Sequence, residues 1–233
     1  MAKKILVIDD SALMRRVISD IINSGGDYEV AAIARDGVEG FDLIVSNPHL
    51  YSAVILDINM PKMNGLELLE KLQKNRIEQT VIVVSTVAKE GAKETIKALE
   101  LGAFDFVTKP ENYLETKGET FKNNIHKMLD LATGSHRSKV DLRTTSFAKP
   151  GSVVRPAKPK PVVMPRKLEP GNFTGVKTGR KKIVALACST GGPKSLQQVI
   201  PYLPKSLDAP VVLVQHMPAG FTFSLSQRLN EIS

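Results

Sequence analysis

Short apolar runs that alternate with amphipathic stretches constrain the fold of residues 1–132 more than any other feature of this chain. The apolar runs span residues 4–8, 28–33, 53–57, 80–85 and 104–107, and the amphipathic stretches span 12–23, 37–46, 65–74, 91–101 and 119–131. Short, continuously apolar runs are typical of buried strands in a parallel sheet, and the stretches between them are typical of helices. The alternation predicts an α/β fold of the flavodoxin-like, doubly wound kind, with helices on both faces of the sheet.

Four charged residues lie at the ends of these predicted strands. Asp9 and Asp10 come after the first run, Asp57 closes the third, and Lys109 follows the fifth. Parallel strands present their carboxyl ends at one edge of the sheet, and ligands bind beyond that edge. We therefore expect the four charges to converge there.

Three carboxylates and one ammonium group at a single point suit phosphoryl chemistry. Clustered carboxylates repel one another unless a divalent cation binds, and Mg²⁺ prefers oxygen ligands. One carboxylate can then attack a phosphoryl group, while the cation and Lys109 stabilise the phosphoryl oxygens. Ser85, at the end of the fourth run, offers a hydroxyl for another of those oxygens. The alternative for a single strand-end aspartate is structural, since Asp, like Ser, is also a typical helix cap.

The segments 6–11, 56–65, 83–86 and 106–110 carry a resemblance that spans residues 3–130. They resemble the receiver domain of bacterial response regulators. The resemblance implies that Asp57 accepts a phosphoryl group from a histidine kinase and that Lys109 contacts it. It also implies a Mg²⁺ site made of Asp9, Asp10, Asp57 and the backbone carbonyl of Asn59.

The same resemblance assigns two switch positions. Ser85 aligns with the family's switch hydroxyl, and the adjacent Thr86 is an open alternative. Phe106 occupies the position of the aromatic residue that changes rotamer on activation.

The net charge of +8 arises in the middle of the chain. Residues 133–182 contain 13 Lys and Arg against 2 Asp and Glu, whereas residues 1–132 contain 16 against 20. Six prolines between residues 149 and 170, with no periodic apolar pattern, predict a flexible, extended linker over 133–182.

This basic segment lacks the helix periodicity and aromatic interleaving typical of nucleic-acid binding, so we expect no DNA binding. Weak attraction to an acidic partner surface is the alternative.

Residues 183–233 predict the opening of a second, incomplete α/β domain. Its expected elements are a strand over 183–188 that is buried on both faces, a helix over 193–203, a strand over 211–215 and a helix from 222. Ser189 and His216 follow the two strands, which would place them at one edge as a nucleophile and its base. The alternatives for the Ser-Thr-Gly-Gly turn are a phosphate cradle and a simple helix cap. Cys188 is expected to be a small buried hydrophobic residue.

The segments 187–193, 214–222 and 98–110 extend the resemblance. They are similar to the chemotaxis methylesterase family, CheB, in which a receiver domain, a linker and a catalytic domain follow in that order. Members hydrolyse glutamyl methyl esters on chemoreceptors and can deamidate certain glutamines, with no cofactor for the esterase. The resemblance implies that Ser189 is the nucleophile and His216 the general base, and that Thr190 supports the histidine or the oxyanion site. It also implies a chemotaxis-type histidine kinase and methylated chemoreceptors as partners, and a receiver that covers the active site until it is phosphorylated.

The third member of the family's catalytic triad, an aspartate, has no match in these residues. Asp208 and Glu231 are the only acids after Ile183. Asp208 precedes the strand that His216 follows, roughly 20 Å away along an extended chain. Glu231 lies near residue 233 with nothing expected to position it. We therefore expect a fragment of a longer enzyme with little or no esterase activity. The alternative is a non-catalytic, phosphorylation-dependent binding protein.

Cysteine usage and hydropathy indicate the compartment. A single cysteine excludes an internal disulfide framework and fits a reducing environment. No run approaches the ~20 apolar residues that cross a bilayer, and the apolar run after Met1 is too short for a secretory signal. We expect a cytoplasmic protein with no membrane insertion.

Overall fold

A computed structural model of the chain describes residues 1–86, 89–110, 118–134 and 182–233. The predicted linker, 133–182, lies outside the described residues except for its first two positions and its last. The strands are β1 (Lys3–Ile8), β2 (Tyr28–Ala34), β3 (Ala53–Asp57), β4 (Val81–Ser85), β5 (Asp105–Thr108), β6 (Val184–Cys188) and β7 (Val211–Gln215). The helices are α1 (Ala12–Asn23), α2 (Gly37–Ser46), α3 (Gly65–Lys74), α4 (Lys89–Glu100), α5 (Glu119–Ala132), α6 (Gly192–Val199) and α7 (Phe221–Ile232), with a 3₁₀ turn at Ile200–Tyr202.

The first five strands form one parallel sheet in the order β2-β1-β3-β4-β5. The register pairs Ile8 with Leu56 and Ser85 with Thr108, so the carboxyl ends of β1, β3, β4 and β5 lie at one edge. The predicted flavodoxin-like, doubly wound fold is confirmed.

Successive residues of each central strand supply the two faces of this sheet. In β1, Ile5 and Val7 join an apolar cluster with α1 and α5, while Leu6 and Ile8 join a second cluster with α2, α3 and α4. The second cluster also contains Leu196 from α6 and Phe221 from α7. The two later helices therefore share an apolar core with the first sheet.

Polar caps fix where three helices begin. Ser11 accepts a hydrogen bond from the Met14 N–H, and Asp36 accepts one from the Glu39 N–H. Asn64 begins α3 with a capping box, in which its side chain and that of Glu67 each bond the other residue's backbone N–H. Such caps satisfy N–H groups that the helix itself leaves free, so α1, α2 and α3 start where the sequence predicts.

The second sheet consists of β6 and β7, which pair in parallel from Val184–Val211 to Cys188–Gln215. The prediction that the strand at 183–188 is buried on both faces is wrong: Ala185 and Ala187 are exposed. Val214 is 63% exposed on the neighbouring strand. Among the described residues no layer covers this face.

None of the described helices is both long enough and apolar enough to span a bilayer.

Candidate functional site

An acidic cluster forms at the carboxyl edge of the first sheet. Asp9, Asp10 and Asp57 each place a carboxylate oxygen within 4.8 Å of the others. Asp9 is 1% exposed and Asp57 is 6% exposed, whereas Asp10 faces solvent. Backbone N–H groups hold the two buried carboxylates, with Ser11 donating to Asp9 and Ile58 donating to Asp57, both at 2.8 Å.

Lys109 bridges the buried carboxylates. Its Nζ lies 2.9 Å from Asp9 Oδ2 and 2.9 Å from Asp57 Oδ2. The Lys109 N–H also donates to the carbonyl of Ser85 at 2.7 Å, which ties the loop after β5 to the end of β4. The structure thus brings together all four charges that the sequence placed at strand ends.

Burial and charge act in opposite directions on these groups. Burial raises the pKa of Asp57, and the neighbouring Asp9 charge adds to that, while Lys109 acts to lower it. Burial acts to lower the pKa of Lys109, but the charges of Asp57 and Asp9 outweigh burial and raise it. The lysine is therefore held in its charged form.

The donor set fits a hard divalent cation. Three carboxylates and one ammonium group leave a local charge of −2 when all are ionised, and oxygen ligands of this kind suit Mg²⁺. Asn59, the predicted carbonyl ligand, lies two residues after Asp57. The contact that the structure defines for its side chain is a hydrogen bond from Nδ2 to Glu94 Oε2 at 3.2 Å.

The two candidate switch hydroxyls differ in environment. Ser85 is 3% exposed, and its Oγ donates to the Gly91 and Thr86 carbonyls at 3.3 and 3.4 Å. Thr86 is exposed. Gly91 has no room for a side chain, since a Cβ there would lie 2.8 Å from the Thr86 oxygens. Within the described residues neither hydroxyl forms a hydrogen bond with Asp57.

Phe106 lies against the second part of the chain. It is 8% exposed, and its ring stacks on Phe221 at the start of α7, with centroids 4.6 Å apart. The predicted rotamer change at Phe106 would therefore act directly on this helix.

Ser189 and His216 meet beyond the ends of β6 and β7. Ser189 Oγ lies 3.4 Å from His216 Nδ1, and both residues are exposed. The last ladder pair, Cys188 and Gln215, sets this proximity. Thr190 is exposed, and its side chain makes no hydrogen bond to other described residues. Cys188 is half-buried, not fully buried as expected, and packs with Leu186 against the apolar cluster shared with the first sheet.

Neither late acid reaches the histidine. Asp208 is exposed, and Glu231 pairs with Arg228 at 3.0 Å one helical turn away. The expectation that nothing positions Glu231 is wrong, because α7 places this arginine three residues before it. Within the described part of the chain, no carboxylate contacts His216.

Asp105 is a site residue that sequence reasoning missed. This carboxylate, at the start of β5, is 5% exposed and accepts a hydrogen bond from the Gly191 N–H at 2.8 Å. Burial raises its pKa, and the N–H groups of Gly191 and Phe106 partly offset that rise. No local signal could have found this contact, which joins residues 86 positions apart.

Further polar contacts join α6 and α7 to the end of α4, and a cavity lies beside the Ser189–His216 pair. Arg228 donates to Glu100 at 2.8 Å, and Lys194 donates to the Gly102 carbonyl at 3.0 Å. A cavity of about 300 Å³ separates the pair from β5 and α5, with Thr108 and Lys127 among its lining residues.

Comparison with known families divides the chain in two. Residues 5–117 match the family model of the response regulator receiver domain, and residues 184–233 match that of CheB methylesterase.

Curated relatives match over nearly the whole chain. A protein-glutamate methylesterase/protein-glutamine glutaminase of Pyrococcus horikoshii is 40% identical over 99% of this chain and 57% of its own length. The protein of the same description from Bacillus subtilis is 41% identical over 99% of this chain and 60% of its own length. The chain therefore spans well under two thirds of the length of these relatives.

Solved structures match the first part of the chain. The response regulator domain of Thermotoga maritima CheB is 36% identical and aligns with 57% of this chain and 96% of that one, with a TM-score of 0.48.

Proposed function

Because this chain belongs to the CheB family, in which a receiver domain precedes a methylesterase domain, we propose that it is part of a phosphorylation-regulated protein-glutamate methylesterase of bacterial chemotaxis. The observation that carries the proposal is the pairing of Ser189 Oγ with His216 Nδ1 at the ends of adjacent parallel strands. Methylated chemoreceptors are the substrates, and a chemotaxis-type histidine kinase supplies the phosphoryl group.

Asp57 receives the phosphoryl group in this proposal. One of its oxygens attacks the phosphorus of a phosphohistidine, the P–N bond breaks, and an acyl phosphate forms. The Lys109 ammonium group, whose Nζ lies 2.9 Å from Asp57 and from Asp9, then shifts to contact the new phosphoryl oxygens. Asp9, Asp10 and Asp57, with the Asn59 carbonyl, would hold Mg²⁺, which would neutralise charge that develops on the phosphoryl group.

Ser189 carries out ester hydrolysis. Its Oγ attacks the glutamyl ester carbonyl while His216 takes the hydroxyl proton and passes it to the departing methoxide, which leaves as methanol. Water then attacks the acyl-enzyme, releasing glutamate and restoring Ser189. With a glutaminyl substrate the same steps release ammonia, which gives the deamidase activity.

The receiver restrains the esterase in this scheme. Asp105 accepts a hydrogen bond from the N–H of Gly191, which lies two residues after Ser189. Phe106 stacks on Phe221, which lies five residues after His216. Both sides of the Ser189–His216 pair are therefore tied to β5. These contacts support a block that phosphorylation of Asp57 relieves.

The 233 residues taken alone are expected to turn over methylated receptors poorly. No described carboxylate contacts His216, and loss of the orienting acid costs about 10⁴-fold in a serine protease. Turnover by this polypeptide near that of the curated relatives would contradict the expectation.

A Ser189→Ala substitution in the complete gene product tests the proposal. Hydrolysis of methylated receptors should be abolished, while receptor binding and Asp57 phosphorylation persist. The second candidate is a phosphorylation-dependent binding protein without catalysis, and the observation that favours it is that no carboxylate among the described residues contacts His216. It would replace the esterase if the unsubstituted protein binds receptors but does not hydrolyse them.

A further inference from the structure

Gln215 connects the backbones that carry the nucleophile and the base. It is the last residue of β7 and is half-buried. Its side-chain Nε2 donates to the Ser189 carbonyl and to the His216 carbonyl, both at 2.9 Å. One amide group therefore spans the two loops whose side chains form the proposed catalytic pair.

The chemistry of these contacts fixes which way the amide faces. Both partners are carbonyl oxygens, which only accept hydrogen bonds, so the NH₂ group must face them. An amide NH₂ has two donors, one for each carbonyl. The Gln215 Oε1 then faces away and, among the described residues, is buried with no hydrogen-bond partner.

Gly192 leaves the space that this side chain occupies. A Cβ at Gly192, the first residue of α6, would collide with Gln215 Oε1 and lie 2.6 Å from Cys188 Cβ. The Gly192 N–H donates to the Ser189 carbonyl at 2.8 Å, so this carbonyl accepts two hydrogen bonds. The start of α6 and the amide of Gln215 thus hold the Ser189 backbone from two directions.

We infer that Gln215 is a positioning residue that sets the separation of Ser189 and His216. The inference rests on the proposed esterase function. The His216 N–H donates a hydrogen bond to the Cys188 carbonyl, which holds one side of the His216 backbone. The Gln215 amide donates to the His216 carbonyl and holds its other side. Apart from the Ser189–His216 contact itself, this amide is the side-chain bridge between the two loops among the described residues. A displacement of 1 Å between reacting groups can cost on the order of 100-fold in rate.

Two substitutions separate hydrogen bonding from simple space filling. Gln215→Met and Gln215→Glu keep nearly the same length and volume, but neither presents two donors to the carbonyls at neutral pH. A residue that only fills space would tolerate Gln215→Met, which adds no charge. A positioning residue would tolerate neither change. Gln198→Met on α6, at an exposed position, makes the same chemical change outside the site.

Backbone order at the two loops is the first readout. In the unsubstituted chain, ¹⁵N relaxation should give order parameters of about 0.85 at Ser189 and His216, typical of rigid backbone. In both Gln215 variants these values should fall toward about 0.6, while Leu186 and Leu213 in the strands stay rigid. Unchanged order at Ser189 and His216 in both variants overturns the inference, whether or not the chain has esterase activity.

Covalent labelling of Ser189 is the second readout. A fluorophosphonate forms an Oγ–P bond as the P–F bond breaks and His216 takes the hydroxyl proton. The maximal labelling rate should fall about tenfold or more in both Gln215 variants with little change in the concentration for half-maximal rate, while Gln198→Met labels normally. A change in half-maximal concentration alone overturns the positioning role. Labelling is measured in the complete gene product; its absence from the unsubstituted protein counts against the proposed esterase, and the order parameters then decide the role of Gln215.

Discussion

Lys109 is the residue on which the acidic cluster depends. Its ammonium group contacts Asp9 and Asp57, two carboxylates that are almost fully buried. Desolvation makes each of these charges costly, and the lysine offsets that cost only while it bridges both of them. A divalent cation bound by the same carboxylates would perform the same task. The cluster should therefore respond to lysine removal and to metal in opposite directions.

Substituting Lys109 by Met should test this compensation. We expect the free energy of unfolding to fall by about 3–5 kcal/mol without metal, because two buried carboxylates lose their partner. Millimolar Mg²⁺ should restore more stability to this variant than to the unsubstituted chain. Urea unfolding with and without Mg²⁺ measures both effects.

Lys62→Met provides the matched control. Lys62 pairs with Asp36, another buried carboxylate, at 2.7 Å, and this hydrogen bond lowers the pKa of Asp36. Asp36 is not part of the three-carboxylate cluster, so Lys62→Met should lose stability without gaining a Mg²⁺ response. An equal Mg²⁺ response in the two variants would contradict a metal site at Asp9, Asp10 and Asp57.

At the scale of elements, β5 links the two parts of the chain. Asp105 and Phe106, its first two residues, contact the turn before α6 and the first residue of α7. Lys109 follows its last residue and joins the acidic cluster. A strand of four residues thus has the proposed phosphorylation site at one end and the Ser189–His216 loops at the other.

Asp105 should make the stability of this junction depend on pH. Burial raises its pKa above the unfolded value of 3.8, so the folded chain binds the proton more tightly than the unfolded chain. Proton binding by Asp105 therefore stabilises the folded chain fully below pH 3.8, and this stabilisation is lost as the pH rises through the raised pKa of the folded state. Asp105→Asn keeps an oxygen for the Gly191 N–H but does not titrate. We expect it to gain stability over the unsubstituted chain as pH rises through this window.

Unfolding by urea at a series of pH values measures this difference. Asp208→Asn, at an exposed position, removes one carboxylate without touching the junction and serves as the control. If Asp105→Asn and Asp208→Asn show the same pH dependence, Asp105 does not titrate at the junction.

The ring pair between β5 and α7 should carry a measurable coupling energy. A double-mutant cycle of Phe106→Leu and Phe221→Leu should give about 0.5–1.5 kcal/mol, because stacked aromatic pairs gain that much beyond the area they bury. Additive losses from the two single substitutions would show that the rings are energetically independent.

At the scale of the whole molecule, the receiver and the matched part of the methylesterase domain share one apolar cluster. Leu196 and Phe221 join Leu6 and Ile8 in the same cluster, and Arg228 pairs with Glu100 across the same contact. A conformational change in β5 or α4 would therefore alter the packing of α6 and α7 directly, without a separate connecting element.

Phosphorylation of Asp57 should loosen this shared packing. We expect faster amide hydrogen exchange in α6 and α7 after treatment with a small phosphodonor and Mg²⁺, with α1 as the internal reference. Asp57→Asn should show no response to the phosphodonor. Unchanged exchange in α6 and α7 of the phosphorylated chain would leave the receiver without the proposed restraint on the esterase.

The sequence by itself determined the order of the elements and the ends of most strands. Apolar periodicity and polar caps are local properties, so the predicted starts of α1, α2 and α3 coincide with those observed. The strand ends in turn predicted where Asp9, Asp57, Ser189 and His216 would lie. These predictions needed only the rule that parallel strands share one carboxyl edge.

Only the tertiary structure decided which residues support and restrain those side chains. The bond from Gly191 to Asp105 and the stacking of Phe221 on Phe106 join residues more than 80 positions apart. In the sequence, Gln215 is simply the last residue of a strand. Its proposed positioning role depends on the pairing of β6 with β7, which brings the Ser189 carbonyl within hydrogen-bond distance. Which face of β6 stays uncovered was likewise not predictable from its apolar sequence. Such features depend on which surfaces pack together in the folded chain, and the local pattern of apolar and polar residues does not specify that packing.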